Sequence, residues 1–178
     1  MYRQKWKKFT WNLSSLPGED SIAEIKGDLR LAEKEDREAC WDIIERSLMT
    51  ERAWGGEMDG KVVEFKELFP KCFGTDVSQE IIVWEDGRRL VGLSAINLDR
   101  ESGRQLISGV CVFEEYRCRG GGNALLLRSL HRLKEKGLSE ASVVTLDNVT
   151  AAKYLYPKFD SKNEILSELP AWEVIAAK

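Results

Sequence analysis

The sequence predicts a mixed α/β (α+β) sheet flanked by helices, and three stretches carry that prediction. Glu80-Ile81-Ile82-Val83-Trp84-Glu85 and Arg88 to Asn97 are β-rich runs on either side of Asp86-Gly87, the residue pair that suits a tight hairpin turn. Gln105 to Phe113 is a further strand, followed by a glycine-rich loop, a Leu-rich helix over Gly122–Lys136 and a Val/Thr-rich strand over Ala141–Leu146. Helical spacing of Ala39, Ile43, Ile44 and Leu48, with Trp41 beside them, adds a helix before the hairpin.

The remaining elements follow in order. Gly27 to Ala32 reads as a short strand ahead of the first helix. Trp54-Gly55-Gly56 breaks that helix, and a second runs from Lys61 to Phe69 and stops at Pro70. Leu126, Leu130 and Leu133 give the helix after the glycines one apolar stripe, with Leu127 next to it, and Gly137 closes it as a C′ residue. Asn148 to Phe159 reads as a helix that Pro157 bends or ends early. Trp172 to Ala176 has strand character, with room for one more strand near Glu164–Ser167. Residues 1–26 read as an N-terminal arm in which Tyr2, Trp6, Phe9 and Trp11 alternate with Arg3, Lys5, Lys7 and Lys8. Packing on the domain, or a tail, is the expectation for it. Residues 27–178 form the single domain.

Composition narrows the class. The chain has 178 residues, 43% hydrophobic and 32% charged, enough for one real core. A net charge of −3 argues against a general grip on nucleic acid. There is no apolar run of membrane-spanning length and no signal-peptide pattern. Cys40, Cys72, Cys111 and Cys118 make no C-x-x-C pair, and the chain has one histidine. An ordinary zinc site is therefore not expected, and reduced cysteines in a cytoplasmic protein are. His131 is expected on the polar face of its helix, among Arg128, Arg132 and Lys134, so histidine-based nucleophilic chemistry is not expected.

The chemistry concentrates in Glu114-Glu115-Tyr116-Arg117-Cys118-Arg119-Gly120-Gly121-Gly122-Asn123-Ala124. Glycines lack a Cβ, so a ligand can approach the backbone closely, and the start of a helix adds unpaired N–H donors with a positive dipole end. Arg117 and Arg119 supply charge for phosphate. A P-loop would need Gly-Lys-Ser/Thr and a dinucleotide fingerprint a third glycine at Leu125; both fail. What fits is Arg119-x-x-Gly122-x-Ala124. It resembles the [QR]-x-x-G-x-[GA] pyrophosphate loop of the GNAT superfamily of N-acetyltransferases. After the next strand, Asn148, Ala151-Ala152 and Leu155-Tyr156 are similar to that family's asparagine, alanine and leucine-tyrosine pattern, one residue longer than usual. Cys118 and Asp160 stand where glycine is common. The resemblance covers about 27–177.

The resemblance implies a splayed central sheet and a direct transfer of acetyl from acetyl-CoA, as co-substrate, to a primary amine, with no metal. It implies that pantetheine lies beside the backbone of Val110, Cys111 and Val112, with Gly109 easing the approach, and that a backbone N–H there faces the developing oxyanion. The pyrophosphate would lie on Arg117, Cys118, Arg119, Gly120, Gly121, Gly122, Asn123 and Ala124, with Asn148 also on the cofactor. Tyr156 would be the general acid for the leaving thiolate. The helix pair around Arg46–Phe65 would wall the acceptor, with Trp54-Gly55-Gly56, Glu57 and Asp59 open as contacts for a cationic amine. No carboxylate lies on the strand before the loop. Glu80, Glu85, Asp99 and Glu101 are base candidates only through water, each more readily a surface charge. Cys111 or Cys118 as a nucleophile, a CoA-binding sensor without turnover, and a homodimer stay open as alternatives.

Overall fold

The structure is a computed structural model that describes residues 4–73 and 78–167. Among the described residues, seven strands form two sheets. Strands β2 (Asp28–Leu31), β3 (Gln79–Asp86), β4 (Arg89–Asn97) and β5 (Leu106–Val112) make an antiparallel sheet in that order. Strands β6 (Glu140–Leu146), β1 (Trp6–Asn12) and β7 (Lys162–Leu166) make the second, with β1 in the middle. The helices are α1 (Arg37–Thr50), α2 (Met58–Leu68), α3 (Gly121–Glu135) and the short α4 (Thr150–Tyr154), with a 3-10 corner over Arg52–Glu57. The strand expected at Trp172–Ala176 lies outside the described residues.

The first sheet is the expected hairpin, extended on both sides. Gly87 and Arg88 are its two loop residues; Gly87 takes φ 68° and Arg88 stays out of the left-handed region, a turn of the II′ kind. Helices cover both faces. Leu125 of α3 lies beside Gly92 of β4, and Ile44 of α1 and Phe65 and Leu68 of α2 gather near Ala95, three residues along the same strand and so on the other face.

Residues 6–12 are not an arm. Phe9 and Trp11 are fully buried, and β1 is hydrogen-bonded antiparallel to β6 on one side and β7 on the other. The basic residues between the aromatics hid a strand that is central in its sheet. His131 is likewise a tie rather than a free surface residue, its Nε2 lying 2.8 Å from the Pro17 carbonyl oxygen.

β5 and β6 are neighbours without a ladder. They are joined where they begin: Gln105 N–H donates to the Ser142 carbonyl at 3.0 Å, and Ser142 N–H donates to Gln105 Oε1 at 2.9 Å. Beyond that joint the two sheets separate and a cleft opens. α4 is shorter than expected, because Leu155 already leaves ideal helical geometry (φ −110°, ψ −59°) ahead of Pro157. Tyr156 therefore sits in a turn, not on a helical face shared with Ala152 and Phe159.

The start of α3 is locked onto the first sheet through Trp84. Its indole N–H donates to the Lys26 carbonyl at 2.8 Å, its ring meets Tyr116 edge-on at 5.8 Å, and a Cβ on Gly121 would collide with it. Gly121→Ala should therefore cost about 1–3 kcal/mol of folding stability through overpacking, read by urea unfolding; an unchanged midpoint would contradict this packing.

Candidate active-site cleft

The gap between β5 and β6 is a cleft of about 390 Å³. One wall is Ile107–Val112 of β5, the other Val143–Thr145 of β6 with Val149–Ala151, and the α1–α2 region closes one end with Trp54, Lys61 and Phe65. Arg117, Cys118, Gly120, Gly122 and Asn123, around the start of α3, also line it, with Lys158.

Tyr156 bridges the divide. It is 3% exposed, and its phenol oxygen accepts the Val110 N–H at 3.1 Å. That bond uses the oxygen as acceptor and leaves the O–H proton to donate elsewhere. Burial pushes the phenol pKa up, partly offset by the Val110 hydrogen bond, so the group is a proton carrier across the neutral range. Phe9 and Trp11 of β1 brace the ring at 5.7 and 6.0 Å, and the Trp11 indole holds the Lys158 carbonyl at 2.8 Å. The hydroxyl needs space on β5, and Gly109 provides it: the space of its missing Cβ is filled by the Tyr156 oxygen, and its φ of 65° suits glycine. The strand bulges there, Ala95 pairing with Gly109 and Ile96 with Leu106, and Ser108 Oγ takes the Ala95 N–H at 2.9 Å.

The three strand residues singled out in the sequence divide by direction. Val110 and Val112 turn peptide groups to the gap: the first gives its N–H to Tyr156, and the Val112 carbonyl accepts from Arg117 Nε at 3.2 Å. Cys111 between them is paired with Leu93 of β4. Its thiol is buried and pushed up to about 12 by desolvation, so it stays protonated and is a poor nucleophile.

The glycines of the loop have three different jobs. Gly120 caps α3 in the left-handed region at φ 84°, with no side-chain cap, so the first-turn N–H groups of a fifteen-residue helix are left to the cleft end. Gly121 yields space to Trp84. Gly122 faces the cleft, with Leu155 3.8 Å from where its Cβ would be. Cys118 takes φ 60°, the left-handed turn expected of glycine, as does Asp160 at 56°. Asn123 Oδ1 accepts from Lys158 Nζ at 2.8 Å, linking α3 to the segment after α4.

Not every expected residue lies in the cleft. Arg119 is exposed and stacks on Tyr116 at 5.0 Å, Ala124 is a buried residue of α3, and Asn148 precedes the lining residues Val149 and Thr150. Arg117 lines the cleft, but its guanidinium is also tied to Val112 and to Thr50 Oγ1 at 3.1 Å. The four candidate bases are elsewhere. Glu80 is paired with Arg132 at 2.7 Å and Glu85 with Arg30 at 2.9 Å, while Asp99 accepts the Glu101 N–H in a turn; none of the four lines the cleft. Sequence reading singled out neither Lys158 nor Glu51, which do line it, although Glu51 falls in the Arg46–Phe65 stretch expected to wall the acceptor; what brings each to the cleft is spatial. Asp59 stays outside, and among the described residues no cluster of three His, Cys, Asp or Glu side chains forms.

The comparisons with known proteins agree with this geometry. No curated protein matches the chain. Among solved structures, a conserved protein of unknown function from Staphylococcus epidermidis superposes with TM-score 0.59 at 12% identity, over 91% of this chain and 58% of its own. A candidate GNAT-family acetyltransferase from Novosphingobium aromaticivorans gives 0.58 at 11%, over 91% and 61%. A GCN5-related N-acetyltransferase from Sphaerobacter thermophilus gives 0.53 at 14%, over 99% and 49%. This chain thus spans about half to three fifths of the length of those proteins, and at such identities they share its fold. The profile of the acetyltransferase (GNAT) family matches residues 22–160, the stretch that holds β2 to α4 and both walls of the cleft, and the chain belongs to that family.

Proposed function

We propose that this protein is an acetyl-CoA-dependent N-acetyltransferase that moves an acetyl group to a primary amine by direct attack on the thioester. The observation that carries the reading is Tyr156, buried in the opening between β5 and β6, with its oxygen held by Val110 N–H and its proton unspent. The pantetheine arm runs along the Val110–Val112 edge. The pyrophosphate meets the uncapped first turn of α3 at Gly120, Gly122 and Asn123, with Arg117 and Lys158 as the nearby cations. Cys118 lines that same end, while Arg119, Gly121 and Ala124 serve the loop by stacking and packing.

The reaction follows from these positions. A neutral amine attacks the carbonyl carbon and the carbonyl electron pair moves to oxygen. The Val112 N–H is the strand donor that can meet that oxygen, because the Val110 N–H is held by Tyr156. Collapse breaks the carbon–sulfur bond, and the phenol proton passes to the departing sulfur. A thiolate released into an apolar cleft would otherwise be costly. Tyr156 and the cleft floor thus act on the leaving group, while the α1–α2 end receives the acceptor.

Two measurements test this. Calorimetric titration should give saturable acetyl-CoA binding that Gly122→Trp abolishes, since the indole would fill the space before Leu155; absence of binding to the wild-type protein would end the reading. Tyr156→Phe should keep CoA affinity and lower kcat by about 10²–10⁴, measured by thiol release with an accepted amine. An unchanged kcat would remove Tyr156 as the acid.

A further inference from the structure

Glu51 directly follows α1 and is the sole acidic residue among the described residues that line the cleft. Its carboxylate is fixed from two sides. Oε1 accepts the Ala53 N–H at 3.3 Å, in the corner between α1 and α2, and Oε2 accepts the Thr150 N–H at 2.9 Å, at the start of α4. One side chain therefore straddles the cleft, from the helices that flank the first sheet to the segment that follows β6. Each oxygen gives one lone pair to a backbone N–H and keeps another. Trp54 and Phe65 are apolar neighbours in the same lining, and Ser47 and Leu48 lie one turn back on α1. Lys61, whose ammonium lies over Trp54 and Phe65, is paired with Glu64 at 3.1 Å, so the Glu51 carboxylate is the acidic group left at this end for an amine whose body is apolar.

We infer that Glu51 is the general base of the transfer: it binds the ammonium of the acceptor and takes its proton, so that the amine attacks as the free base. The inference rests on the acetyltransferase reading and assigns the role that no residue of β5 can fill. The protons balance. The acceptor arrives as R–NH3⁺ and gives one proton to the Glu51 carboxylate. The nitrogen lone pair then forms the C–N bond. When the C–S bond breaks, sulfur receives the Tyr156 proton, and the second proton lost by nitrogen returns to the phenolate through water. Glu51 releases its proton to solvent. In sum, R–NH3⁺ and the thioester give the amide, the thiol and one H⁺.

A structural role alone, closing the corner and capping Thr150, is the competing account, and the two separate by the protonation state of the acceptor. Glu51→Gln keeps a carbonyl oxygen for a backbone N–H but cannot accept the proton. We would compare benzylamine, an ammonium at neutral pH, with aniline, which is neutral there and of similar shape. The expected result is a fall in kcat/KM of about 10²–10⁴ for benzylamine, with aniline little affected, with weaker calorimetric binding of benzylammonium to the CoA complex, and with Glu51→Asp recovering part of the loss. An equal loss for both amines, or none for benzylamine, overturns the assignment, as does a wild-type protein that binds acetyl-CoA and acetylates neither amine. A wild-type protein that does not bind acetyl-CoA at all overturns the parent reading instead.

Discussion

β5 and β6 are held together at Gln105 and Ser142 and then part. In an ordinary sheet their facing peptide groups would satisfy one another; here they do not, and unpaired backbone groups in a buried edge are costly. The rest of the site works within that constraint. Tyr156 takes the Val110 N–H and Arg117 takes the Val112 carbonyl, side chains standing where a strand would be. The bulge at Gly109 re-aims the edge so that the phenol fits. The same opening that leaves polar groups to be satisfied makes room for an extended ligand with amide groups of its own.

The site is assembled from both halves of the chain. The start of α3, the corner between α1 and α2, and the segment after α4 all line the cleft, the last of these bringing Tyr156 to β5. Three hydrogen bonds tie these parts to one another and to their neighbours: Lys158 joins the segment after α4 to α3, Tyr156 joins it to β5, and Glu51 joins the α1–α2 corner to the start of α4. Interactions of this kind fix side chains from separate elements in one geometry. Cys111, the buried thiol in the same wall, is removed from the chemistry by the desolvation that surrounds it.

Elements whose residues carry a local signal were readable from the sequence. Asp86-Gly87, the stripe of Leu126, Leu130 and Leu133, and the Arg119–Ala124 pattern each depend on neighbours a few positions apart, so the hairpin, α3 and the loop could be placed in advance. What could not be read depends on distant partners. β1 looked like a basic arm because its aromatic residues are separated by lysines, and only pairing with β6 and β7 gives them an inside. Tyr156 lines the cleft as expected, but the end of α4 before it was placed too late, since Pro157 acts on residues upstream of itself. Gly121 resembled a ligand glycine because the ring of Trp84, some 37 positions earlier in sequence, is invisible to local reading. Glu51 belongs to no pattern; its place across the cleft depends on Thr150, far along the chain.

The placement of β1 has a consequence for how the chain is made. The first sheet joins strands that are close in sequence, from β3 to β4 to β5, so it can form as soon as those residues exist. The second sheet cannot. Its middle strand is the first to leave the ribosome, yet Phe9 pairs with Val143 and Asn163, near the other end of the chain. Loops of that length carry the largest entropic cost and form late. During synthesis Trp6, Phe9 and Trp11 must therefore stay without their sheet until β6 and β7 have emerged, a window in which exposed aromatic residues invite chaperones or aggregation. The half of the fold that supports Tyr156 is the half that a truncated or prematurely released chain lacks.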